Sequence, residues 1–274
     1  LLVGGSPRRN LAPALYFGAL AAVALGLARP TVPLRVPVRE AAVVLSVDVS
    51  GSMRSQDMQP NRLEAAKEAA RAFVRGLPAG VAVGLVAFAG TAELIQPPTR
   101  DHARVLRALD ELGFRPRTAI GEGLLEAVAA LPGRVRARPG AEPVLPGPPP
   151  KGTVILLSDG RSNTGIDPLE AAELARRQNV VVYTVGIGDP APRDNVWTIG
   201  GPVDEQTLKE VARITGGEYF HARSAPALAR VYRQLAYRVG WETRREEVSG
   251  LLALAAAGAL AAAWYAGARA YRLP

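Results

Sequence analysis

Short, unbroken apolar runs alternate with stretches of helical period through the middle of the chain. The runs AAVVLSV (41–47), VAVGLVAF (81–88), TVILLSD (153–159) and VVVYTVGIG (180–188) have the pattern of parallel strands covered on both faces. Between the first two, residues 61–77 place Leu63, Ala66, Ala70, Phe73, Val74 and Leu77 on one helical face, with Asn61 as cap and Glu64 three residues on. Helices are also predicted at about 101–112 and 120–131. Another, at 167–178, opens on an Asp167 cap, Pro168 and Glu170, and two more lie at 204–216 and 225–239. TAELIQ (91–96) follows Ala89-Gly90 as the return of a hairpin, and EYFHA (218–222) is a short last strand. The pattern predicts an α/β fold, doubly wound, with a mostly parallel central sheet, one antiparallel edge strand and right-handed crossovers.

Both ends read differently. Leu11 to Ala28 carries no charge and lies between Arg9 and Arg29; as a helix it reaches about 27 Å. Val248 to Ala268 is uncharged between Glu247 and Arg269. Both are predicted to span a membrane. The competing readings are a signal peptide for the first and a buried Ala-rich helix for the second. Tyr16 and Phe17 then fall on the same side as Trp264 and Tyr265, as an interfacial belt does. The expected organisation is a span and linker over 1–40, a domain over 41–237, and a linker and second span over 238–274. Inside the domain, 133–152 is too rich in Pro and Gly for regular structure and reads as an exposed loop.

Charge and composition narrow the function. The net charge is +8, but residues 1–40 and 238–274 hold ten arginines against four glutamates, so the domain itself is near neutral. A phosphate-binding groove, and hence nucleic acid, is not expected. There is no cysteine, and the two histidines, His102 and His221, are far apart. Thiol chemistry, disulfides and a Cys/His zinc site are therefore set aside.

Oxygen chemistry remains, and it gathers at strand ends, where open α/β sheets bind ligands. Asp48, Ser50 and Ser52 follow the first strand, Thr118 precedes the helix at 120, and Asp159 ends the strand TVILLSD. Two carboxylates and three hydroxyls form a hard set suited to Mg²⁺, with Mn²⁺ or Ca²⁺ as alternatives. Gly51 is expected to let the chain curl so that the short side chains converge.

DVSGSM, Thr118 and LLSDG resemble the von Willebrand factor type A (VWA) domain and its metal-ion-dependent adhesion site, whose pattern is Asp-x-Ser-x-Ser, then Thr, then Asp. The resemblance implies direct metal ligation by Ser50, Ser52 and Thr118, with Asp48 and Asp159 acting largely through water. It also implies an open coordination position filled by a carboxylate of a partner protein. ARPTVPLRV, SGSMRSQDMQPNRLEAAKEAA, GLVAFAGTAELIQPPTRD and TAIGEGL further resemble the membrane-anchored bacterial Bat (aerotolerance-type) proteins. Asp57 and Arg62 belong to that narrower pattern. The likeness implies other VWA proteins or a MoxR-type AAA+ ATPase as partners. Bat proteins often carry a further hydrophobic segment upstream, and the chain begins at Leu1 without Met. With such a segment the domain is extracytoplasmic, whereas the arginine count alone favours the cytoplasm.

The rival reading is a metal-dependent hydrolase or phosphatase with Asp48 as nucleophile. It lacks the second Asp of an Asp-x-Asp motif, since position 50 is Ser, and no P-loop or Gly-x-Ser-x-Gly elbow occurs. A non-enzymatic, metal-dependent interaction module is the expectation.

Overall fold

The computed structural model describes residues 11–37, 42–137, 152–159, 162–188 and 204–270. In chain order these form α1 (Leu11–Leu27), β1 (Thr31–Pro37), β2 (Ala42–Asp48), α2 (Arg62–Gly76), β3 (Ala82–Phe88), β4 (Ala92–Thr99), α3 (His102–Asp110) and α4 (Ile120–Ala130). They continue with β5 (Gly152–Ser158), α5 (Pro168–Arg177), β6 (Val180–Ile187), α6 (Glu205–Thr215), β7 (Tyr219–Ala222), α7 (Ala225–Gly240), β8 (Trp241–Glu247) and α8 (Ser249–Ala270). A 3₁₀ turn, Gly51–Arg54, follows β2. The chain divides into two compact units, Pro37–Glu242 and the two termini together.

The larger unit is a six-stranded sheet of order β4-β3-β2-β5-β6-β7. Every pairing is parallel except β3 with β4, the antiparallel edge that the sequence predicts. Alternation along β2 divides the core. Val43, Leu45 and Val47 pack with α2, α3 and α7, including Phe73, Leu109 and Tyr232. Val44 faces α4, α5 and α6, including Leu124, Ala172 and Leu208. Burial on both faces explains why these strands read as unbroken apolar runs. Edge strand β4 can hold Pro97 and Pro98, which lack the N–H an interior strand needs. The helix signals act as expected: Asn61 accepts from Glu64 N, Asp167 from Leu169 N and Glu170 N, and Gly216 closes α6 at φ 74°.

Glycine sets how closely α4 approaches the sheet. A Cβ on Gly123 would lie 2.5 Å from the Phe88 ring of β3, and one on Gly121 would lie 2.2 Å from Ile166 O. With no side chain there, the Gly123 carbonyl accepts a bond from the buried Ser46 hydroxyl of β2 at 3.0 Å.

The terminal unit holds α1, α8 and a two-stranded sheet of β1 with β8. These strands occupy segments expected to be linkers. β1 alternates Val32, Leu34 and Val36 with other residues, but Pro33 and Pro37 within it argue against a strand, and β8 is mostly charged and shows no apolar alternation. Between α1 and α8 the buried residues are small: Ala19, Ala256 and Ala263. The large apolar side chains Phe17, Leu20, Leu27, Leu251, Leu254 and Trp264 are exposed. The two stretches expected to span a membrane are thus helical, but among the described residues no helix is long and apolar enough to cross one. The 17 residues of α1 reach about 26 Å, short of a bilayer core of about 30 Å.

Most of the loop expected at 133–152 lies outside the described residues. Its ends are ordered. Gly152 begins β5, and buried Arg134 bonds the carbonyls of Pro132, Gln178 and Asn179.

Candidate metal centre

The order of the strands reverses at β2. From it the chain moves first to β3 on one side and later to β5 on the other. Such a switch point opens a crevice beyond the strand ends. Asp48 is the last residue of β2, and Ser158 and Asp159 end and follow β5 beside it. Asp48 Oδ1 accepts from Ser50 N at 2.8 Å and Oδ2 from the Ser158 hydroxyl at 2.7 Å. The 3₁₀ turn then carries Ser52 back over Ser50, their hydroxyl oxygens 2.9 Å apart, while Met53 is buried in the core.

Gly51 does not do what the sequence suggested. It has no positive φ, and an added Cβ would meet nothing within 4 Å. The curl comes from the 3₁₀ hydrogen bonds, Met53 N to Ser50 O and Ser55 N to Ser52 O, each 3.1 Å.

Thr118 arrives on a separate loop. Arg115 N bonds Val49 O at 2.8 Å, tying that loop to the end of β2. Arg117 turns the chain in the left-handed region, φ 67°, and Gly90 leaves room for it: a Cβ there would approach the Arg117 Cβ to 3.1 Å. Thr118 and Asn163 bond reciprocally, Thr118 N to Asn163 Oδ1 at 3.1 Å and Asn163 N to Thr118 O at 3.0 Å. The Thr118 loop is thereby fixed to the segment after β5.

Asp48, Ser50, Thr118 and Asp159 are all buried. Burial, and then the charge of Asp159, push the Asp48 carboxyl up to about 7, against the opposing bonds from Ser158 and Ser50. Two acids held this way favour a nearby cation or a proton. Arg62 supplies part of the answer, its Nη1 lying 3.7 Å from Asp159 Oδ2.

The predicted residues therefore fall into linked groups. Asp48, Ser50 and Ser52 are joined directly, Asp159 lies close enough to Asp48 for their charges to interact, and Thr118 is joined to Asn163 on the segment after β5. No hydrogen bond among the described residues joins Thr118 to the serines. Among those residues no cluster of three or more His, Cys, Asp or Glu could hold a metal, so any ion here relies on hydroxyl oxygen. Sequence reasoning missed Ser158 and Asn163. Ser158 left a signal, a hydroxyl closing an apolar strand; Asn163 left none. The two histidines are structural: His221 Nε2 lies 2.8 Å from Gly188 O and His102 Nε2 2.9 Å from Val81 O.

A doubly wound sheet with this strand order and a hydroxyl-rich crevice at its switch point defines a VWA domain, and residues 43–161 match the von Willebrand factor type A domain family. The chain belongs to the UPF0353 family: it is 38% identical over 267 residues to a UPF0353 protein of Mycolicibacterium paratuberculosis, covering 94% of this chain and 78% of that protein. Solved structures share the fold. The conserved hypothetical protein BatB from Bacteroides thetaiotaomicron aligns with TM-score 0.58 and 24% identity over 73% of this chain and 98% of BatB. Proximal thread matrix protein 1 from the mussel byssus, with a zinc-occupied MIDAS motif, aligns with TM-score 0.54 and 21% identity over 78% of this chain and 50% of that one.

Proposed function

We propose that this protein is a membrane-attached interaction module that holds a divalent cation, Mg²⁺ foremost, at Asp48, Ser50, Ser52, Thr118 and Asp159. The carrying observation is the buried pair Asp48 and Asp159, with the Ser50 and Ser52 hydroxyls on the turn that follows Asp48 and Thr118 on a loop tied to the segment after β5. The donor set fits such an ion: it is all oxygen, only partly neutralised by Arg62, and rich in uncharged ligands. When bound, the ion supplies a Lewis-acidic position for a carboxylate of a partner protein. The chain's own residues orient it. Ser158 and the Ser50 amide fix both oxygens of Asp48, and Asn163 fixes Thr118. That same fixing argues against the hydrolase reading, because a fully buried carboxylate with both oxygens bonded is a poor nucleophile.

The test is capture of partner proteins from membrane extracts by the immobilised protein, with Mg²⁺ or with chelator. Capture that needs Mg²⁺ and is lost in Ser50→Ala supports the reading; capture indifferent to both refutes it. Other VWA proteins and a MoxR-type AAA+ ATPase are the candidates to seek. The zinc in the thread matrix protein makes Zn²⁺ a necessary competitor in the same assay.

Protonation competes with the metal. The Asp48 carboxyl is held near 7, and the ion needs it ionised, so Mg²⁺ affinity should be flat above that pH and fall below it, by about tenfold per unit. Calorimetric titrations at pH 8 and pH 6 should therefore differ by about tenfold in Kd. Equal values would show that Asp48 does not serve the ion.

For the termini we propose membrane attachment through α1 and α8. Small residues at their contact with large apolar side chains turned outward suit lipid better than water. We place the VWA domain outside the cytoplasm. The chain has no cysteine, so a single Cys at Glu68, 69% exposed, gives a clean probe. A membrane-impermeant maleimide should label it in intact cells stripped of outer envelope; labelling only after lysis would reverse the orientation.

A further inference from the structure

Arg62 opens α2 yet is almost wholly buried, with 5% of its side chain exposed. Asp57 grips it in a two-point fork, Nε to Oδ1 at 2.8 Å and Nη2 to Oδ2 at 2.7 Å. The guanidinium lies over Gly188 at the end of β6, where a Cβ would come within 2.5 Å of Nη2 and where φ is 119°. No residue with a side chain could occupy that position without displacing the arginine. The remaining nitrogen, Nη1, is buried, makes no hydrogen bond, and sits 3.7 Å from Asp159 Oδ2. An arginine is thus aimed at a proposed metal ligand and held just beyond bonding distance by its partner acid.

We infer that Arg62 is a protein-supplied counter-cation of the candidate metal centre, competing with the divalent ion for Asp159, and that Asp57 sets the strength of that competition. The inference rests on the metal reading proposed above. With no ion bound, Arg62 offsets the charge that Asp48 and Asp159 bring into a buried crevice. With an ion bound, the two cations repel at short range inside a medium of low polarity, and the ion binds more weakly than its ligands alone would hold it. Asp57 draws positive charge away from the crevice. It is 32% exposed on its side chain, so a partner that engaged it would strengthen Arg62's pull on Asp159 and loosen the ion.

Electrostatic competition predicts opposite signs for two substitutions. Arg62→Gln should tighten Mg²⁺ binding by about tenfold, Asp57→Asn should weaken it by about tenfold, and the double variant should fall between them. Were Arg62 merely a prop for Asp159, Arg62→Gln would weaken binding instead; that result, or no change in either variant, overturns the inference while leaving the metal reading intact. If the wild type takes up no Mg²⁺ at all, the metal reading fails and thermal unfolding of the ion-free protein still decides. Arg62→Gln should then lower the melting temperature more in the wild type than in an Asp159→Asn background, where only the fork to Asp57 is lost. Equal losses in both backgrounds would mean the arginine does not answer that carboxylate.

Discussion

Gly121→Ala should cost the VWA domain about 3 kcal/mol, seen as a fall in melting temperature of about 6–12 °C for a unit of this size. Helix propensity argues the other way, since alanine in a helix interior gains up to about 1 kcal/mol over glycine. The contact decides. A Cβ at position 121 would lie 2.2 Å from the Ile166 carbonyl oxygen, and backbone cannot swing aside as the tip of a long side chain can. Helix α4 or the segment before α5 must move. Thr118 lies two residues before α4 and is tied through Asn163 to the same segment after β5, so Mg²⁺ affinity should fall with stability. Gly51→Ala is the control: nothing lies within 4 Å of its added carbon, and stability should hold within about 0.5 kcal/mol. A variant pair with equal melting temperatures would show that α4 is not held where the structure puts it.

This contrast shows what the sequence made legible. The central strands were plain because burial on both faces leaves no choice but apolar residues, and the caps at Asn61 and Asp167 because helix starts use few residue types. The strand-end position of Asp48, Ser50, Ser52 and Asp159 was legible for a related reason: polar residues that interrupt apolar runs need a purpose. What stayed hidden depended on distance in the fold. Nothing near Asn163 announces that it holds a loop 45 residues away, and nothing near Arg62 says that its charge lies beside Asp159. Gly51 in the sequence suggests a conformational need, but the turn there is ordinary 3₁₀ backbone that asks for no glycine. β8 was missed because a strand dominated by charge carries no apolar alternation, and β1 because Pro33 and Pro37 mask the alternation of Val32, Leu34 and Val36.

Asp48→Asn should reverse the order of stability between the ion-free and ion-loaded protein. In the ion-free wild type at pH 8 the buried Asp48 is ionised beside Asp159, a cost that follows from burial and from the charge of Asp159, which push its carboxyl up to about 7. Raising a carboxyl from its ordinary value near 4 to about 7 corresponds to about 4 kcal/mol. The amide removes the charge and keeps the shape. Its oxygen can still accept from Ser50 N, and the Ser158 hydroxyl can rotate to accept from the new NH₂ group. Imperfect bonding offsets part of the gain, so the ion-free variant should exceed the wild type by about 2 kcal/mol. The sign follows from linkage: a carboxyl raised by folding destabilises the native state at pH values above its ordinary range, and the effect should vanish as pH falls toward 4. Magnesium then acts on the wild type alone. At about 100 times its Kd it should add about 2.7 kcal/mol, raising the melting temperature by about 5–10 °C. The variant should not respond, because one of the two charges that attract the ion is gone. Melting curves at pH 8 with and without Mg²⁺ should therefore cross, the variant higher without the ion and the wild type higher with it. A misfolded variant would be lower in both, and a wild type indifferent to Mg²⁺ would mean that the acids at the carboxyl ends of β2 and β5 serve something other than a divalent ion.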